Sequence, residues 1–289
     1  MNNKFQEQNK NNILDKLFII ILCAGKGTRF GNITKNVPKP LIKVKNLENK
    51  PILFCILNSL AKVQVKNLAI ITGYLGNKIA SYISSLSNLN SLQHLNIQII
   101  DSEGQYKLGP LYSFLSIQKN NEIFQQNKIY LVIPGDTIFQ TSYFQRLIDF
   151  IIKNFKIINK NPVLFYRTIS LETLHKELGF EEQKLISTIR IKSSQNQFLK
   201  EIVTKKSMEY GKEEKINQIY PTFLVPYQIV KKIIKITQNF DGNSIKQVIN
   251  YLSRNGNKVY AKKFQQRYHF YDIDDVKTLE KVKSENLKK

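Results

Sequence analysis

The chain has 289 residues, 42% apolar and 23% charged, values of an ordinary globular protein that exclude a disordered or fibrous chain. Its 44 Lys and Arg against 22 Asp and Glu give a net charge of +22, which favours anionic partners: nucleic acid, an anionic membrane surface or phosphorylated small molecules. The lysines are spread through every segment and only six of the cations are Arg, which argues against a nucleic-acid reader and leaves compositional bias as the plainer explanation.

Residues 1–14 are polar, rich in Asn and Gln and unlike a signal peptide; they read as a flexible tail, with 15–289 as one domain. Leu17 to Cys23 is then an apolar, largely β-branched run that ends abruptly in Ala24-Gly25-Lys26-Gly27-Thr28-Arg29, the pattern of a buried strand emptying into a tight loop. Two glycines and two cations at one point suit a phosphate. A P-loop needs its lysine after the second glycine, and Lys26 lies between the two; a dinucleotide fingerprint needs G-x-G-x-x-G, and Gly25, Gly27 and Gly31 are one residue too widely spaced. Downstream, Lys39 stands between Pro38 and Pro40, which predicts an extended, stiff segment that holds its ammonium in place.

Helices are predicted over 51–63, 77–86 and 109–118, and strands over 67–72 and 97–101, so the first half reads as β-α units around a mostly parallel sheet. The buried strand Ile129 to Ile133 ends in Pro134-Gly135-Asp136. Ligands collect at the carboxyl ends of such strands, which places Asp136 near the glycine loop, although an Asp there also serves as a turn residue or helix cap. From Asn161 onward, β-like runs at 162–168, 185–191, 198–204 and 217–225 predict a mixed sheet extension, followed by a helix over 244–255, a strand over 258–262 and a last helix over 276–283 capped by Asp275. Cys23 and Cys55 both lie in apolar stretches, which points away from a disulfide framework and toward a reducing, cytoplasmic setting. His94, His175 and His269 show no metal-ligand spacing, and no apolar run reaches the roughly 20 residues of a membrane helix.

The compound pattern L-x-A-G-x-G-T-R from Leu22 to Arg29, continued by Thr34, Pro38-Lys39-Pro40-Leu41, Val44 and Lys50-Pro51-Ile52-Leu53, resembles the signature of the nucleotidyltransferase family that makes activated sugars and related compounds. The resemblance implies an α/β, three-layer, Rossmann-like nucleotide-diphospho-sugar transferase fold with a mixed, mostly parallel sheet and a β-rich extension on the substrate side. It implies transfer of a nucleoside monophosphate from an NTP to a phosphorylated acceptor, foremost a sugar 1-phosphate, with release of pyrophosphate. Arg29 and Lys39 would be catalytic, and Ala24, Gly25, Gly27, Thr28 and Gly109 would contact the nucleotide. Mg²⁺ would be held by Asp136 and Asp272, with Asp274 as the alternative to Asp272.

Two departures from the family's wording bear on the acceptor. Where sugar-handling members carry Glu-Lys-Pro, this chain has Thr204-Lys205-Lys206, so Lys205 or Lys206 is left to meet the acceptor phosphate and the sugar-binding carboxylate is missing. The segment Gly109 to Ser113 and the ending Tyr271-Asp272-Ile273-Asp274 also resemble the phosphocholine cytidylyltransferase branch, with Tyr106, Tyr112, Phe223 and Tyr271 as candidate walls for a choline cation. A catalytically silent relative that binds nucleotides and regulates a partner is a reading of another class, weakened by the retention of both Arg29 and Asp136. No hexapeptide repeat occurs, so acyltransfer is not expected, and a homo-oligomer is compatible with the reading.

Overall fold

A computed structural model describes residues 2–178, 184–192, 197–211, 214–265 and 267–282. Among them, nine strands form one sheet: β1 Leu17–Leu22, β2 Asn67–Thr72, β3 Asn96–Asp101, β4 Ile129–Pro134, β5 Val163–Ser170, β6 Leu185–Ile191, β7 Leu199–Lys206, β8 Lys215–Pro226 and β9 Tyr260–Lys263. The order is β7-β6-β8-β4-β1-β2-β3, with β5 paired to β8 and β9. Strands β1 to β4 run parallel, whereas β8 is antiparallel to β4, β5 and β6, and β6 is antiparallel to β7. The parallel first half and mixed extension expected from the sequence are both present.

The apolar runs explain the layering. Side chains alternate across a strand, so a strand buried on both faces feeds two cores. Ile19, Ile21, Leu131 and Ile133 enter one core, covered by the helices Ile52–Ala61 and Thr141–Lys153; Phe18, Ile20, Tyr130 and Val132 enter the other, covered by Pro110–Leu115, Tyr227–Ile236 and Ile245–Arg254. Helix Ile245–Arg254 starts at a capping box: Ser244 Oγ accepts from the Gln247 amide at 3.2 Å and Gln247 Oε1 accepts from the Ser244 amide at 3.0 Å.

Two local features differ from the sequence reading. Asn2–Lys16 is helical and not a loose tail, because its last turn buries Ile13 and Leu14 in the first core. Tertiary burial of two apolar residues outweighs a stretch otherwise poor in helix signals. The segment around Lys39 is extended at Val37, Pro38 and Ile42, but Lys39–Leu41 between them closes into a 3-10 turn, with the Leu41 amide donating to the Pro38 carbonyl at 2.8 Å. No described helix is long and apolar enough to cross a membrane.

Candidate active site

Register places the two loops of interest side by side. Leu22 pairs with Pro134 at the ends of β1 and β4, and the Gly135 amide donates to the Leu22 carbonyl at 2.9 Å. A Cβ at Gly135 would lie 2.4 Å from Cys23 Sγ, so only glycine lets these strand ends meet. Gly27 has a second such role. Its φ is +63°, and a Cβ there would press on Lys39 Cβ at 3.0 Å and Thr34 Cγ2 at 3.1 Å. Thr34 ties the loop down, its buried hydroxyl donating to the Gly27 carbonyl at 3.0 Å.

The loop and the end of β4 enclose a cavity of about 190 Å³ whose polar lining is Thr28, Arg29, Lys39, Asp136 and Asp274, with Gly25 and Gly27 contributing backbone. Lys39 Nζ lies 2.6 Å from Asp136 Oδ2 and 3.9 Å from Asp274 Oδ1, and Arg29 Nη1 lies 2.9 Å from Asp274 Oδ1. The Lys39 side chain is only 9% exposed, its ammonium 5.6 Å from the centroid of the Phe30 ring, while Arg29 is 69% exposed. One cation is therefore built in, and the other stands in solvent against Asp274. Cys23 also lines the cavity, but burial, and then the charge of Asp136, push its thiol well above the usual range, which rules it out as a nucleophile at neutral pH.

The C-terminal carboxylates arrive by a separate route. Phe270–Asp272 pairs antiparallel with Thr137–Phe139, so that Asp272 faces Thr137, and the Ile273 amide donates to the Asp136 carbonyl at 3.0 Å. A tight turn at Ile273, closed by the Asp274 amide donating to the Asp272 carbonyl at 3.1 Å, then separates the two side chains. Asp274 enters the loop cavity. Asp272 instead lines a second cavity of about 140 Å³, together with Lys184, Ser187, Gln218, Phe223, Lys246 and Phe270. Burial raises the Asp272 carboxyl to about 7, aided by the negative charges of Asp136 and Asp274 and opposed by Lys39 and Lys184. Thr137 Oγ1 donates to its Oδ1 at 3.3 Å.

Of the residues singled out from the sequence, Gly25, Gly27, Thr28, Arg29, Lys39 and Asp136 thus meet in one place. Asp272 does not join them, and the alternative, Asp274, does. Ala24 is buried behind the loop, its carbonyl accepting from the Tyr74 amide at 3.0 Å, and Gly109, with φ +118°, packs against Asn243; neither lines the cavity. Lys205 and Lys206 line neither cavity. They sit on the edge strand β7, Lys205 with its ammonium 5.6 Å from the Tyr210 ring centroid and Lys206 exposed. Asp136 and β4 lie three strand steps away, about 14 Å at the usual spacing. Lys184, Gln218 and Lys246 escaped the sequence reading because they sit in unremarkable local contexts and meet only in the folded sheet.

Among the described residues no three His, Cys, Asp or Glu side chains gather as a metal cluster. Asp136 and Asp274 nonetheless both ion-pair with one ammonium, so their carboxylates are near neighbours, and two carboxylates completed by phosphate oxygens suit Mg²⁺.

Comparison with known proteins bears on the same region. Residues 18–164, half of the chain, match the family model described as nucleotidyl transferase. A probable glucose-1-phosphate cytidylyltransferase of Bacillus subtilis (strain 168) is 40% identical over 63 residues, covering 22% of this chain and 24% of the relative. The bifunctional protein GlmU of Methanococcus aeolicus is 31% identical over 148 residues, covering 50% of this chain and 31% of the relative. The alignments therefore span about a quarter to a third of the length of these curated relatives. A UDP-glucose pyrophosphorylase complexed with UDP-glucose superposes over 91% of this chain and 95% of its own with a TM-score of 0.64 at 16% identity, a likeness of fold. The matched segment opens on the strand that delivers the glycine loop and extends past Asp136, so Arg29, Lys39 and Asp136 lie inside it and Asp274 beyond it: the chain belongs to the nucleotidyl transferase family.

Proposed function

We propose that this chain transfers a nucleoside monophosphate from an NTP to a phosphorylated small molecule, a sugar 1-phosphate foremost, releasing pyrophosphate. The observation that carries the reading is the convergence of Arg29, Lys39, Asp136 and Asp274 on one cavity beside a glycine loop, at the carboxyl ends of parallel strands.

An oxygen of the acceptor phosphate attacks the α-phosphorus, and the bond to the oxygen bridging α- and β-phosphorus breaks. That acceptor oxygen is already anionic at neutral pH, so no general base is required. The backbone of Gly25 and Gly27 lets the triphosphate approach closely. Lys39, held by its turn and by Asp136, lies where charge grows on the α-phosphate, and the exposed Arg29 exchanges Asp274 for the departing pyrophosphate. Asp136 and Asp274 are the residues that would hold Mg²⁺, which when bound neutralises phosphate charge and aligns the reacting groups.

A second acceptor has support from one observation. Of the aromatic residues considered for a choline cation, Phe223 lines the second cavity, where Asp272 supplies a carboxylate, and that pairing suits phosphocholine. The test is pyrophosphate release with Mg²⁺, offering each of the four ribonucleotides and dTTP with glucose 1-phosphate or phosphocholine. Release that requires one NTP and one acceptor is expected. An absence of NTP binding in the intact protein would overturn the reading.

A further inference from the structure

The second cavity holds chemistry that no local motif announces, and its interpretation rests on the transfer reading above. Lys246 belongs to the first turn of helix Ile245–Arg254, half-buried, with its ammonium donating to Ser187 Oγ at 2.8 Å. An ammonium has three donors, and Ser187 accounts for one. Burial lowers the tendency of Lys246 to stay charged, while the carboxylates of Asp272 and Asp274 oppose that effect. This cation therefore stands within the field of the carboxylates that border the transfer site.

Gln218 faces the same space from β8. Its Oε1 accepts from Arg167 Nε at 2.9 Å, and a guanidinium can only donate, so the amide oxygen is committed to Arg167 and its NH₂ end is left for the cavity. Arg167 is itself fixed. It is fully buried, paired with Glu177 Oε2 at 2.7 Å, and packed 5.4 Å from the centroid of the Phe270 ring. Glu177 is held in turn by His269 Nδ1 at 3.2 Å.

We propose that Lys246 and Gln218 grip the anionic group of the acceptor, in the role the sequence pattern assigns to the strand lysines Lys205 and Lys206. A helix residue reaches across the sheet extension to a place that the edge strand does not. The acceptor class is a small phosphorylated molecule that also carries a hydroxyl or ammonium donor: Asp272 lines the same cavity and accepts that group, and Phe223 and Phe270 form the apolar walls.

The test uses the full chain and isothermal titration with glucose 1-phosphate, phosphocholine and inorganic phosphate, alongside NTP titrations and acceptor KM. Lys246→Met is expected to weaken the anion that the wild type binds, and to raise acceptor KM, by tenfold or more, with NTP affinity within twofold; Lys246→Arg restores most of the loss. Gln218→Glu keeps an oxygen for Arg167 while replacing the donor with negative charge, and gives a similar loss. The double change Lys205→Met with Lys206→Met stays within twofold. Wild-type anion affinity retained in Lys246→Met and Gln218→Glu, loss confined to the Lys205/Lys206 pair, or a wild type that binds none of the three anions would each overturn the proposal. Failure of the transfer reading shows separately, as a wild type that binds no NTP.

Discussion

The two halves of the sheet build their sites in opposite ways. In the parallel half, one continuous stretch from β1 to Pro40, plus Asp136 after β4, supplies most of a charged cavity, because parallel strands end at the same edge and deliver their loops together. In the extension, the second cavity draws Lys184 and Ser187 from around β6, Gln218 and Phe223 from β8, Lys246 from a helix and Asp272 from a C-terminal ribbon. The first site depends on backbone geometry at a few positions. The second depends on packing, and its keystone is the buried Arg167.

That contrast can be broken most forcefully at the keystone. Arg167→Met leaves Glu177 without its guanidinium and Gln218 without its donor, and a severed buried ion pair costs about 3–5 kcal/mol, read as a marked fall in the midpoint of thermal unfolding. The pair also carries a pH signature. Burial alone would raise the Glu177 carboxyl, but hydrogen bonding from His269 and the charge of Arg167 prevail and hold it below the usual value of 4.5. The folded state then binds fewer protons than the unfolded chain, so this contribution is present above about pH 4.5 and is lost as the pH falls through the depressed value. In Glu177→Gln, the dependence of unfolding free energy on pH over that acidic range flattens.

In the parallel half, Asp136→Asn keeps an oxygen to accept from the buried Lys39 ammonium but removes the charge paired with it, so it is expected to preserve the fold with a lowered midpoint of thermal unfolding and to lower the rate of pyrophosphate release by about a hundredfold or more, the scale of losing a preorganised electrostatic contribution. The two C-terminal carboxylates sharpen the comparison further. Asp274→Asn should follow Asp136→Asn in kcat, whereas Asp272→Asn should act mainly on acceptor KM, since the two side chains line different cavities. A kcat loss in Asp272→Asn equal to that in Asp274→Asn would contradict this division.

Gly27→Ala is a smaller perturbation of the same loop. The positive φ costs a side chain about 1 kcal/mol, and the added methyl crowds Lys39 and Thr34, so turnover should fall about tenfold with NTP affinity following it. The smallest effect belongs to Lys205 and Lys206, whose joint replacement by Ala should leave turnover and acceptor KM within about twofold, in keeping with a median exposed charge interaction of about 0–1 kcal/mol.

Legibility in the sequence follows the same divide. The strands at 67–72 and 185–191 were readable to the residue because each is a short run rich in apolar and β-branched residues, closed by Lys66 and Gly73 in one case and by Lys184 and Lys192 in the other. Lys39 and Asp136 were readable because each lies within a few residues of a backbone device, a pair of prolines or a glycine that permits close approach. The choice between Asp272 and Asp274 was not. It turns on a tight turn at Ile273 and on a backbone bond from Ile273 to Asp136, neither of which leaves a trace in residue type. That Lys205 lines neither cavity was hidden for a related reason: a lysine near a strand end looks the same in sequence whether its strand lies at the sheet's edge or beside a cavity.

By itself, then, the sequence determined the family, the α/β architecture and the glycine loop that lines the charged cavity, because these are written in short-range hydrophobic periodicity and in glycine and proline positions that constrain φ. Tertiary structure alone decided which C-terminal carboxylate joins Lys39 and Asp136, and which lysine and amide line the second cavity. Those outcomes depend on strand order, on register and on a buried guanidinium that commits one end of Gln218, and such long-range pairings are fixed by packing rather than by any local preference of the residues concerned.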